Sequence, residues 1–127
     1  MSAELIAHLL DLLRDTRWAG QIRARRMFGG HGVYVSDLFC ALIENDVLYL
    51  KTDALNRAAF LARGLQPFTY RKQGEDLALS YYQAPAEALE DGDELADWLD
   101  LAAAAARRAV AAKSRPRKTR RLRKAGR

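Results

Sequence analysis

GHGVYVSDLFCALIENDVLYLK, residues 30–51, decides the architecture. Three runs rich in β-branched and aromatic residues, GVYV, LFCALI and VLYLK, are separated by Ser36-Asp37 and Asn45-Asp46. Each run has the length of a strand, and each separator pairs residue types that favour tight turns. Two-residue connectors join antiparallel neighbours, so the stretch reads as a meander. LFCALI is apolar on both alternating faces and belongs in the middle of a sheet. VLYLK ends in Lys51 and reaches solvent. The stranded pattern extends back to about Ile22, with Gly29-Gly30 as a further turn.

Toward the N-terminus, Leu5, Leu9 and Leu12, with Ile6, Leu10 and Leu13, recur at helical spacing. They predict a helix near residues 3–16, with Ser2 as N-cap. Its apolar face is wide enough for burial against a sheet or on two sides. On the C-terminal side, Asp53 is expected to cap a helix through ALNRAAFLAR. Gly64 offers a left-handed stop with Leu65 as the apolar residue after it, and Pro67 prevents resumption. PFTYRK and LALSYYQ, joined by QGED, read as a second hairpin. After Pro85, Asp91 and Glu94 resemble a capping box. They open a long helix to about Lys113, with Leu95, Trp98, Leu99, Ala102 and Ala106 as its buried stripe. The order α-β-β-β-α-β-β-α makes this an α+β fold: an antiparallel sheet of meander plus hairpin, with helices packed on it.

The charge is divided along the chain. Residues 1–106 carry 10 Lys and Arg against all 16 Asp and Glu, whereas residues 107–127 carry 11 Lys and Arg and no acid. The expected organisation is a folded domain over 1–112 and a basic, disordered tail over 113–127. KSRPRKTRRLRK is the kind of unopposed positive run that binds polyanions by releasing counterions. Lys113, Arg115, Arg117, Lys118, Arg120, Arg121, Arg123 and Lys124 are therefore the candidate nucleic-acid contacts. Such contacts are indifferent to base sequence. The single cysteine, Cys40, excludes an internal disulfide. With no secretory leader pattern and no bilayer-length apolar run, the expected location is the cytoplasm.

No pattern of catalytic chemistry emerges. FGGHG, residues 28–32, runs into a strand and lacks the Lys and Ser/Thr of a phosphate loop, so its glycines are read as backbone requirements. His8 and His31 lie in unlike elements and match no metal-ligand spacing. Cys40 falls in the most apolar run and is read as a buried thiol. Hence no catalytic residue, metal site or cofactor is expected, and the chain is read as not an enzyme. Tyr34, Tyr49, Tyr70, Tyr81 and Tyr82 interleave with Arg25, Arg26, Lys51, Arg71 and Lys72. That mixture suits base stacking, and equally suits amphipathic strands with one wet face.

Met27 to Gly30, Leu48 to Lys51 and Ser80 to Tyr82, in this order before a long helix, carry a resemblance. The chain resembles the N-terminal domain of the TfoX/Sxy family, named for regulators of bacterial natural competence, over about residues 3–112. The resemblance implies a two-layer α+β domain similar to secretion chaperones, and a transcriptional co-regulator with a protein partner such as a transcription regulator. It supplies no catalytic residues. Full-length competence regulators continue into a second helical domain, where this sequence has its basic run. The alternative expectation is a protein-interaction module or homodimer with no nucleic-acid role, suggested by the wide apolar face of the first helix.

Overall fold

The computed structural model describes residues 2–27, 30–72 and 75–114. Its elements are α1 (Ser2–Leu12), β1 (Ile22–Met27), β2 (Gly30–Val35), β3 (Leu38–Glu44), β4 (Val47–Lys51), α2 (Arg57–Ala62), β5 (Pro67–Lys72), β6 (Glu75–Gln83) and α3 (Gly92–Ser114), with a 3-10 turn over Ala86–Leu89. One antiparallel sheet of six strands runs in the order β1-β2-β3-β4-β6-β5. The α+β class is as expected.

The meander forms for local reasons. Ser36 and Asp37 have φ of 48° and 66°, and Asn45 and Asp46 have 53° and 60°. Two consecutive positive φ values are the mark of type I′ turns, whose twist matches that of the flanking strands. The stop of α2 also follows the sequence. Gly64 has φ +69°, its N–H donates to the Leu61 carbonyl at 3.0 Å, and that of Leu65 donates to Phe60 at 3.1 Å. These are the two bonds of a Schellman cap.

Some boundaries move. The structure adds a strand, β1, to the expected five. IRARRM alternates half-buried Ile22 and Ala24 with exposed Arg23 and Arg25, and an edge strand tolerates such charge. α1 ends at Leu12 rather than near residue 16, because the Thr16 hydroxyl donates to the Leu13 carbonyl at 2.8 Å and then accepts from the Trp18 N–H. Such a local side-chain bond competes with helix continuation. Asp53 caps a turn rather than α2 itself: its carboxylate accepts the amides of Leu55 and Asn56 at 3.0 and 3.2 Å, and the helix starts at Arg57. Asp91 accepts from the Asp93 and Glu94 amides at the start of α3. Glu94 turns instead to the Trp98 indole N–H, so only half of the expected capping box forms.

All three helices feed one core on one face of the sheet. Leu9 and Leu13 of α1, Phe60 of α2 and Leu95, Trp98, Leu99, Ala102 and Ala106 of α3 join Val33, Val35, Cys40, Ala41, Ile43, Leu48 and Leu50. Between the Val33–Ala41 and Tyr34–Phe39 pairs the register shifts, leaving Cys40 as the extra residue of a bulge. Cys40 and Ala41 consequently both enter the core. Among the described residues, no helix is long and apolar enough to cross a membrane.

Candidate nucleic-acid interface

The sheet face opposite the helices carries a row of side chains set by register. Arg23 lies opposite Tyr34, Tyr34 opposite Phe39, and Lys51 opposite Tyr81. The rings of Tyr34 and Phe39 stack with centroids 5.2 Å apart, and Phe39 meets Tyr81 at 6.0 Å. The Arg23 guanidinium sits over the Tyr34 ring at 5.4 Å and the Lys51 ammonium over the Tyr81 ring at 5.1 Å. One residue pair further along, Tyr49 of β4 meets Phe68 of β5 edge-on at 5.0 Å. Burial pushes the Tyr81 phenol up to about 12, so it stays a neutral donor and acceptor at ordinary pH.

Glycines keep this face low. A Cβ at Gly32 would come within 2.7 Å of the Met27 methyl and 2.8 Å of the Phe39 ring, which occupy that space instead. A Cβ at Gly30 would collide with the Ile43 carbonyl oxygen and the Glu44 carboxylate. Gly30 is thus a backbone requirement, as expected, but its reason is close approach of β3 and not a positive φ. Gly29, the other glycine of the expected turn, lies outside the described residues.

The interleaved tyrosines and cations divide. Tyr34, Tyr49, Tyr81 and Lys51 share the open face. Tyr82 points the other way, with its ring 5.9 Å from Phe60 in the core. Arg25 falls opposite Gly32 and Arg26 opposite His31, so the two neighbours face opposite sides of the edge. Both are exposed. The side chains of Tyr70, Arg71 and Lys72 are outside the described residues. Phe39 and Arg23, central to the row, carry no signal in a tyrosine count; the alternation of Ile22 and Ala24 with Arg23 and Arg25 is the clue that finds the second.

Of the eight tail candidates, Lys113 is exposed in the last turn of α3. Arg115, Arg117, Lys118, Arg120, Arg121, Arg123 and Lys124 lie outside the described residues. Upstream of them, Arg107 is exposed. Arg108 is committed elsewhere: its guanidinium donates twice to Asp53, at 2.6 and 2.9 Å, and that bond holds the Asp53 carboxyl below the usual carboxylate range. Two acids of α3 have structural partners too. Asp97 and Asp100 take the Arg17 guanidinium at 2.9 and 2.5 Å, and Asp100 also accepts the Trp18 indole N–H at 2.9 Å.

His8 Nε2 donates to the Leu89 carbonyl at 2.6 Å, tying α1 to the turn before α3. His31 Nδ1 is buried without a hydrogen-bond partner. Burial pushes the Cys40 thiol up to about 12, which removes its nucleophilic form. Among the described residues, no group of three or more His, Cys, Asp and Glu is placed to hold a metal ion.

Compared with known proteins, residues 11–106 match the family model described as the TfoX N-terminal domain. No curated protein matches the chain.

Proposed function

The chain belongs to the TfoX N-terminal domain family, and from that premise we propose that it is a non-enzymatic regulatory adaptor of the cytoplasm, a transcriptional co-regulator that holds nucleic acid through its basic C-terminal segment. The observation that carries this reading is the polarity of α3. Its early turns bear Asp93, Glu94, Asp97 and Asp100, and its late turns bear Arg107, Arg108 and Lys113. A helix of 23 residues spans roughly 33 Å at about 1.5 Å per residue. Arg108 is paired with Asp53, but Lys113 sits roughly 20 Å along the axis from Asp100 at about 1.5 Å per residue, beyond a Debye length of about 8 Å in physiological salt.

A salt titration of duplex DNA binding tests it. If about half of the 11 cations of residues 107–127 neutralise phosphates, log K against log salt has a slope of roughly −5. Deleting residues 114–127 removes Arg115, Arg117, Lys118, Arg120, Arg121, Arg123, Lys124 and Arg127, and most of that slope with them. The melting temperature stays put, because every buried core residue remains. Slope and affinity retained after truncation would sink the tail as the contact site. Absence of binding by either form favours a second reading, an interaction module or homodimer without nucleic acid. Leu55, Leu61 and Val110, at 75%, 58% and 52% exposure, favour that reading.

A further inference from the structure

We propose that the open face of the sheet is a second, separate site: a stacking platform for unpaired bases of a single-stranded nucleic acid, built on Tyr34, Phe39 and Tyr81 with Arg23, Arg25 and Lys51 as phosphate partners. It does not rest on the tail, since every one of these residues lies in the folded body.

The geometry has three parts. First, the aromatic row is continuous. Tyr34, Phe39 and Tyr81 are in ring contact across the strands from β2 to β6, and each remains partly exposed. Strands about 4.8 Å apart put β1 to β6, four steps, over roughly 19 Å. In a different fold, a four-stranded sheet stacks two or three bases on exposed aromatic rings. Second, the cations are matched to the rings. Arg23 and Lys51 already lie over Tyr34 and Tyr81. Arg25 is exposed two residues along the same edge from Arg23. Cations flanking aromatic rings suit a ligand that alternates flat bases with phosphates. Third, the acids of α3 are elsewhere. Asp93, Glu94, Asp97 and Asp100 belong to α3, behind the sheet. On the open face Glu44 lies against Gly30, and Asp37 pairs with Arg23 at 2.7 Å, a pair exposed enough to exchange for a phosphate.

Unpaired bases are favoured over duplex because a duplex hides its base faces in its own stack. An apolar protein partner is disfavoured by the cation over each outer ring.

The test uses the full chain with a 12-nucleotide oligo(dT) and a duplex of equal length. Titration covers rising salt, so that the screened tail contribution fades first. The single strand should stay bound at salt concentrations that release the duplex. Tyr34→Leu and Tyr81→Leu should each weaken oligo(dT) binding about 5- to 150-fold, the range of one lost base stack. Duplex binding should not change, and Tyr34→Phe should bind as the parent does. Ultraviolet crosslinking of an iodouridine oligonucleotide should label the peptides holding Tyr34, Phe39 or Tyr81. That readout, with Tyr34→Phe, decides the matter even if a leucine variant misfolds. Equal affinity for both nucleic acids, unaffected leucine variants, or crosslinks confined to residues 107–127 would each overturn the platform. Those outcomes leave the tail reading standing, since it is judged by the duplex salt slope.

Discussion

The ring of Phe60 stands edge-on to the indole of Trp98, with centroids 4.9 Å apart and planes at 65°. This contact joins α2 to α3 over the sheet, and Phe60 is fully buried while Trp98 is 8% exposed. Each substitution to alanine should lower stability by about 3–5 kcal/mol. The double variant should lose less than the sum, because the two share the vacated space. Urea unfolding of the four proteins checks it; strict additivity would show that the rings are energetically independent.

Gly32 and Met27 form a second dependent pair. Gly32→Ala puts a methyl where Met27 and Phe39 now sit, and overpacking of this kind costs about 1–3 kcal/mol. Met27→Ala removes two of the three closest atoms and leaves the Phe39 ring, so Gly32→Ala should be cheaper, though not free, in its presence. Gly30→Ala meets the Ile43 backbone instead, and no side-chain truncation should rescue it. Thermal melts of the single and double variants separate the two cases.

Asp53 supplies an acid-dependent increment of stability. Hydrogen bonds from Arg108 lower its carboxyl below the ordinary value. The increment is therefore complete above the unfolded-state value of about 3.9 and fades as pH falls through the folded one. Asp53→Asn should cost about 1 kcal/mol at pH 7, the scale of a partly exposed pair. The variant and parent should converge between about pH 4 and pH 2. A difference that persists unchanged to pH 2 would place the effect in the turn amides of Leu55 and Asn56 rather than in the charge.

Cys40, with no exposed surface and its thiol pushed up to about 12, should resist alkylation in the native protein. Labelling by iodoacetamide at pH 8 should proceed at the rate of unfolding, and become fast in denaturant. Prompt labelling of the native protein would contradict the buried bulge.

What the sequence determined by itself was everything settled within a few residues. Ser36-Asp37, Asn45-Asp46 and Gly64 specify their turns and helix stop through local φ preferences, and the period of Leu95, Trp98, Leu99 and Ala102 marks the buried side of α3 without help from elsewhere. Of the candidate platform, Tyr34, Tyr49, Tyr81 and Lys51 were visible as residue types. Their common face was not, and Tyr82 shares their composition while lying in the core. Only the tertiary structure decided these matters, because facing depends on register between strands distant in sequence. The bulge at Cys40 shifts that register by one residue, and a shift of one residue sends every later side chain to the opposite face. The same holds for Gly30 and Gly32, whose missing side chains answer to Ile43 and Phe39 on the neighbouring strand. β1 was legible only as the onset of the stranded pattern at Ile22 and not as a strand of its own, because its arginines interrupt the apolar positions until β2 is there to receive Ile22 and Ala24.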